Sequence, residues 1–242
     1  MKIKDNQLIQ DDLDFELYNY RRQKNFINWQ YSKVRNYLKG NILEVGSGIG
    51  TFSSKLINEF NGKIYLTDIK KEYIDYLKSQ FGAEKRIRIT YLDISDKQDF
   101  LNIKTKFDSI LCMHVLEHVK DDVFALKLMK DSLKPQGHLI IMVPAHNFLF
   151  SVMDIAEGHY RRYTKNDLRL KAKIAGFKIK DEFWFNLFAI PARFINGNIF
   201  KFKTTHQGSF DIYNKLLPTF IFFEEKLFRN ITGVNRVIVL EK

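Results

Sequence analysis

Residues 41–50 read Asn-Ile-Leu-Glu-Val-Gly-Ser-Gly-Ile-Gly, and the fold follows from this stretch. Asn41 to Val45 is a short apolar run after Gly40, with the length and branching of a buried strand. Three glycines then alternate with Ser47 and Ile49, and Phe52, Leu56, Ile57 and Phe60 follow at helical spacing. Strand, glycine turn and helix in this order set unpaired N–H donors beside backbone that no Cβ shields, so a ligand can touch the chain itself. The spacing is G-x-G-x-G, one residue shorter than the G-x-G-x-x-G that cradles a pyrophosphate.

Outward from this unit the alternation repeats. Residues 63–67, 86–92, 107–113 and 138–143 read as strands, the last ended by Pro144, and 70–81 and 121–133 read as helices. The segment Leu-Lys-Pro-Gln-Gly at 133–137 reads as a turn. Upstream, residues 13–40 carry a helical pattern through Tyr18, Phe26, Trp29, Val34 and Leu38, stopped by Gly40. Downstream, Thr164 and Asp167 resemble a capping box for a helix over 165–175, and two further strands lie at 177–185 and 233–242. Alternating strands and crossover helices predict an α/β sheet, largely parallel, with helices on both faces. The chain reads as one domain, 1–242, with a helical N-terminal segment at 1–40 and an aromatic-rich helical insertion at 186–232.

Composition excludes several classes. With 45% hydrophobic residues the chain can bury a sizeable core, so disorder is excluded. No apolar run reaches the roughly 20 residues a spanning helix needs. Cys112 is the single cysteine, which excludes an intrachain disulfide and fits a reducing cytoplasm, and its place in an apolar strand suggests an inert thiol. The net charge of +11 favours anionic partners, although lysines scattered singly give the same excess without one.

Chemistry-bearing residues gather at the strand ends. Asp68 closes the second strand, where a carboxylate can accept from both ribose hydroxyls of a nucleoside, and Asp93 with Ile94 closes the third. Either aspartate alone could be a helix cap; with the glycine turn in chain order they read as a ligand site.

Glu44 to Gly50, Asp68, Asp93, the run Phe107 to Asp122 and the run Leu133 to Pro144 resemble the successive motifs of class I S-adenosylmethionine-dependent methyltransferases, strongly over residues 20–180. The stretch Gly158 to Phe177 is similar to bacterial members associated with polysaccharide biosynthesis, and the C-terminal part resembles them more loosely. The resemblance implies a Rossmann-like seven-stranded sheet of order 3-2-1-4-5-7-6, its last strand antiparallel. It places Glu44, Gly46, Ser47, Gly48, Gly50, Asp68, Ile69, Asp93, Ile94 and Met113 around S-adenosylmethionine and its product S-adenosylhomocysteine. Gln136 departs from the family, which usually has a second glycine after the proline.

Methyl transfer from a sulfonium needs alignment, exclusion of water and sometimes removal of a proton. His114, His118 and His159 are the candidate bases, with His118 equally able to serve a structural hydrogen bond. Tyr160, Arg161 and Tyr163 are candidates for acceptor recognition, Arg161 through bidentate bonding of phosphate or carboxylate, while a solvated loop is the plainer alternative. His114 to His118 also spells the H-x-x-E-H zinc-peptidase pattern, but the first His abuts a strand, so no metal is expected. Trp29 and Tyr31 are expected to close the cofactor side. The insertion, with Phe188, Phe194, Phe200, Phe202, Phe220 and Phe223 among lysines, is expected to cover the acceptor side or rest on a membrane.

The expected acceptor is a hydroxyl of a small molecule, sugar or lipid-linked glycan, in a cytoplasmic protein that can sit peripherally on a membrane. RNA methylation is the second reading; no Asp/Asn-Pro-Pro-aromatic motif follows the fourth strand, and Cys112 lacks a preceding Pro. A cofactor-binding regulator without turnover is the third. The glycine spacing and the lack of a Tyr-x-x-x-Lys pair oppose an oxidoreductase.

Overall fold

Each strand predicted from its apolar run is present, and helices fill the gaps between them. The computed structural model describes residues 20–204, 207–228 and 230–242, and the side chains within these ranges except 207–211. Residues 13–19 of the expected N-terminal helix lie outside that range. The strands are β1 (Ile42–Val45), β2 (Ile64–Asp68), β3 (Ile87–Tyr91), β4 (Phe107–Met113), β5 (Leu133–Pro144), β6 (Lys178–Phe185) and β7 (Asn235–Glu241). The α-helices among the described residues are α1 (Lys24–Val34), α2 (Ser53–Glu59), α3 (Lys71–Phe81), α4 (Lys97–Asn102), α5 (Asp122–Ser132), α6 (Val152–Ala156), α7 (Lys165–Ile174), α8 (Ile190–Phe194) and α9 (Gln207–Lys226). The sheet order is β3-β2-β1-β4-β5-β7-β6, parallel except that β7 runs antiparallel to both β5 and β6.

The period of two along the strands divides the core. Leu43, Val45, Ile110, Cys112, Leu139 and Ile141 face the layer holding α4, α5 and α7, whose Phe100, Leu126 and Leu168 pack on them. Ile42, Leu111, Ile140, Met142 and Val239 face the opposite layer, with Phe26 and Trp29 of α1, Leu56 of α2, Leu77 of α3 and Leu217 of α9. Cys112 is fully buried, and burial pushes its thiol well above the ordinary cysteine range, so it is inert core.

The expected turn at 133–137 is the first part of β5. Leu133 pairs with Phe107, and the register shifts before Ser109 meets His138, so the segment bulges instead of leaving the sheet. Gln136 holds the bulge at φ +60°, a left-handed conformation that costs a side-chain-bearing residue about 1–2 kcal/mol. That explains the glycine expected there. Glycine brings its own entropic cost of about 0.5–1 kcal/mol. Gln136→Gly is therefore expected to raise unfolding free energy by about 0.5–1 kcal/mol, read as a higher urea midpoint at unchanged slope.

The insertion is helical as expected, but irregular. A 3-10 turn (Leu187–Ala189) leads into α8, then a π-helical turn (Ile195–Ile199), and α9 follows. Buried Glu224 of α9 accepts from the Asn186 and Leu187 amides at 2.8 and 2.7 Å, tying α9 to the end of β6. Arg193 of α8 pairs with Asp154 at 2.8 Å and anchors the other end.

Candidate active site

A parallel sheet leaves a crevice at the C-terminal ends of its strands where the chain order reverses, here between β1 and β4. Glu44, Gly46, Ser47, Gly48, Asp68, Ile69, Asp93, Ile94 and Met113 line a cavity of about 1160 Å³ at that edge. His114, Glu117, His118, Ala156, Glu157, His159 and Thr204 line the same cavity. That volume exceeds the usual ~300–1,000 Å³ of a small-ligand pocket, leaving room for a cofactor and an acceptor.

The glycine turn is held by its neighbours. Gly46, Gly48 and Gly50 take φ of +68°, +51° and +77°, which side-chain-bearing residues rarely adopt. The Gly48 amide donates to Asp68 Oδ2 at 2.8 Å, and the Lys70 amide donates to Asp68 Oδ1 at 3.0 Å, so the aspartate couples the turn to the end of β2. Glu44 accepts from Ser47 Oγ at 3.2 Å and from Ser53 Oγ. Burial pushes its carboxyl up to about 7; the two serines pull downward and Asp68 adds a further upward push. Gly50 is not among the lining residues: a Cβ there would meet Phe81 and Leu77, so this glycine serves packing of α3.

All three predicted histidines reach the cavity, and the structure adds a carboxylate to them. Glu117 is fully buried, and neither carboxylate oxygen has a hydrogen-bond partner. His114, at φ +56°, sets Nδ1 3.4 Å from Glu117 Oε1. Burial alone would raise the Glu117 carboxyl; the facing His114 imidazole and the more distant His159 bring it net below the ordinary range. The His118 and His159 rings lie edge to face with centroids 4.6 Å apart. His159 Nδ1 is 3.0 Å from the buried Asp154 Oδ1, and its Nε2 is 3.3 Å from Glu157 Oε2.

Known proteins share both this sequence pattern and this fold. Residues 15–182 match the model of a methyltransferase domain family. The chain belongs to that family. S-adenosylmethionine is accordingly its cofactor. The chain is 29% identical over 138 residues to ubiquinone biosynthesis O-methyltransferase of Coxiella burnetii, a match covering 56% of this chain and 57% of that one. The match thus spans little more than half of that relative's length. A methyltransferase from Archaeoglobus fulgidus has the same fold at TM-score 0.61 and 18% identity, covering 95% of this chain and all of that one. The N-methyltransferase NodS of Bradyrhizobium japonicum, solved with S-adenosylhomocysteine, has it at TM-score 0.55 and 14% identity, covering 99% of this chain and 93% of that one.

The residues of this methyltransferase fit the cofactor chemically. Carboxylates stand at the ends of β1 and β2 and just beyond β3, and Ile69, Ile94 and Met113 supply apolar surface between them.

Three sequence expectations need correction. Tyr163 does not face an acceptor: it is fully buried, its hydroxyl donates to Asp122 at 2.9 Å with the Leu116 carbonyl sharing the proton at 3.2 Å, and its backbone forms an isolated bridge with Ala145 just past β5. Arg161 donates to the same Asp122 at 2.6 Å, and Tyr160 is exposed; none of the three lines the cavity. Trp29 and Tyr31 are core instead of lid. Trp29 packs on Phe185 with centroids 4.0 Å apart and Tyr31 lies near Phe52, while Tyr20 and Phe26 are the N-terminal residues at the cavity. Of the described part of the insertion, Thr204 alone reaches the cavity. Glu117 is legible in the sequence only as a charge inside the apolar string Val-Leu-Glu-His-Val, and nothing local marks Glu157.

Proposed function

We propose that this methyltransferase transfers a methyl group to a hydroxyl of a polar small molecule, sugar or lipid-linked glycan. The observation that carries the reading is the group Glu117, His118 and His159, gathered in the same cavity as the glycine turn. An amine in its neutral form attacks a methyl unaided, whereas a hydroxyl needs its proton taken or weakened, so a polar cluster on the acceptor wall suits oxygen better than nitrogen. The cofactor supplies an activated methyl on sulfur. Around it, Asp68 takes the ribose hydroxyls, Ile69, Ile94 and Met113 hold the adenine with Asp93 at its amino group, and Gly46, Ser47 and Gly48 face the methionine part. The sugar or glycan preference is supported by the resemblance of residues 158–177 to the polysaccharide-associated subgroup.

Glu44 stands where the cofactor's α-ammonium would lie. The apoprotein carboxyl, raised above its ordinary value, favours folding at low pH and loses that contribution as pH climbs through about 7. A bound ammonium keeps it ionised, so at pH 7 cofactor binding is expected to release roughly half a proton from Glu44. Calorimetry in buffers of different ionisation enthalpy reads this directly, and Glu44→Gln should abolish it; no buffer dependence would refute the placement.

The deciding experiment is S-adenosylhomocysteine release by the pure full chain against polyols, nucleotide sugars, lipid-linked glycans and RNA. Release with a hydroxylated small acceptor supports the proposal. Turnover with RNA alone would replace it, and cofactor binding without turnover on any acceptor would make the domain a sensor.

A lipid-linked acceptor has a second support. Helix α9 exposes Ile212, Leu216 and Phe223 along one stripe, continued by Leu227 in the turn after it, with Lys215 and Lys226 beside it, the pattern of a helix lying in a membrane interface. No helix of the described residues is long and apolar enough to cross a membrane. Co-sedimentation with anionic vesicles that survives Leu216→Glu with Phe223→Glu would remove this contact.

A further inference from the structure

The H-x-x-E-H string does not bring its two histidines together, yet the fold completes a ligand set by another route. We propose that Glu117, His118 and His159 form a divalent-cation site on the acceptor wall of the cavity, filled by a divalent transition ion such as Zn²⁺ or Mn²⁺. One ligand atom from each lies within 4.8 Å of the others. Metal–ligand bonds of roughly 2.0–2.2 Å require ligand atoms nearer than that limit, so the side chains draw in around the ion.

Two independent observations point to a ligand. The first is Glu117: a fully buried carboxylate whose oxygens accept no well-formed hydrogen bond, faced by the His114 imidazole at 3.4 Å and, further off, by His159. A cation among Glu117, His118 and His159 would satisfy it. The second is the support behind His159. Buried Asp154 holds Nδ1 at 3.0 Å, and Asp154 is itself fixed by Arg162 at 2.8 Å and Arg193 at 2.8 Å. A carboxylate on one imidazole nitrogen orients the ring and turns the other nitrogen toward a metal. That other nitrogen, Nε2, lies on the cavity side, with Glu157 Oε2 3.3 Å away as its present neighbour. Two imidazoles and one carboxylate leave positions open for substrate oxygens.

The inference rests on the reading of this cavity as a hydroxyl-methylating site. A coordinated hydroxyl loses its proton to solvent more readily; its oxygen then forms the new O–C bond as the C–S bond breaks, and the sulfonium leaves as a neutral thioether. An acceptor with two neighbouring oxygens, as in a sugar, would chelate the open positions.

The test uses full-length protein stripped with EDTA and titrated with Zn²⁺ and Mn²⁺ against a chelating dye, without cofactor. One tight equivalent per chain is expected, weakened at least ~10-fold by each of Glu117→Gln, His118→Ala and His159→Ala. His146→Ala, whose ring stacks on Trp184 away from the cavity, should bind like wild type. Glu117→Gln keeps side-chain size, and S-adenosylhomocysteine binding by each variant reports that it is folded. No stoichiometric binding by wild type, or unchanged affinity in Glu117→Gln and His118→Ala, overturns the site. If EDTA-stripped protein still methylates a hydroxyl at full rate, the metal proposal falls and the proposed function stands. Metal bound tightly by a chain that methylates no hydroxyl keeps the site and removes the proposed function.

Discussion

Asp68→Ala is expected to weaken S-adenosylhomocysteine binding by on the order of 10²–10⁴-fold. Hydrogen bonds to a charged acceptor contribute about 1.5–3 kcal/mol each, and the proposed placement gives Asp68 two ribose hydroxyls. The substitution also frees the Gly48 amide, held at 2.8 Å by the same carboxylate, so the glycine turn loses its fastening to β2. Asp68→Asn separates the two effects. It keeps an oxygen acceptor while removing the charge, and should lose less than alanine does. Calorimetric titration of both variants, each checked for a wild-type melting transition, reads the outcome. Wild-type affinity in Asp68→Ala would show that the ribose lies elsewhere.

Asp154→Ala is expected to cost about 3–5 kcal/mol of folding stability, the range for removing one partner of a buried ion pair. Asp154 is fully buried and accepts from Arg162, pairs with Arg193 and receives the His159 ring. Burial by itself would raise its carboxyl, yet the His159 hydrogen bond and the two guanidinium groups hold it well below the ordinary carboxylate range. Deleting it leaves Arg162, itself 4% exposed, without its carboxylate partner. It also removes one of the two carboxylates, Asp154 and Glu157, that hold both Arg193 of α8 and the His159 ring. Asp154→Asn removes the charge while retaining one acceptor oxygen and should fall between. Urea midpoints measure the loss; a change under about 1 kcal/mol in Asp154→Ala would mean that the two arginines find solvent or other partners.

The legible half of the site has one source. Gly46, Gly48, Asp68 and Asp93 belong to strand-to-helix junctions, and each is located by its distance from an apolar run with a clear period. A turn that demands left-handed backbone and a carboxylate at a strand end are local requirements, so they are written in neighbouring residues. Gly50 meets the same local requirement at φ +77°, yet it faces the Phe81 ring and not the cavity, which its spacing does not reveal.

The acceptor side is illegible for the opposite reason. Tyr160, Arg161 and Tyr163 look alike in sequence, as aromatics and cations on one loop, yet Asp122, some forty positions away, draws Arg161 and Tyr163 inward. Trp29 and Tyr31 are expected at the cofactor, but both turn into the core, Trp29 against Phe185, and Phe26, one turn nearer the start of α1, reaches the cavity.

From its sequence alone this chain determines a methyltransferase sheet and the residues its strand ends bring to the cavity, because apolar periodicity, glycine spacing and strand-end acids act over a few residues. Only the tertiary structure decided which polar groups share the acceptor wall. Glu117 and His118 leave β4, while His159 arrives after α6, held by a carboxylate and two arginines from separate elements. Such a convergence depends on how helices close over the sheet, and no spacing along the chain encodes it.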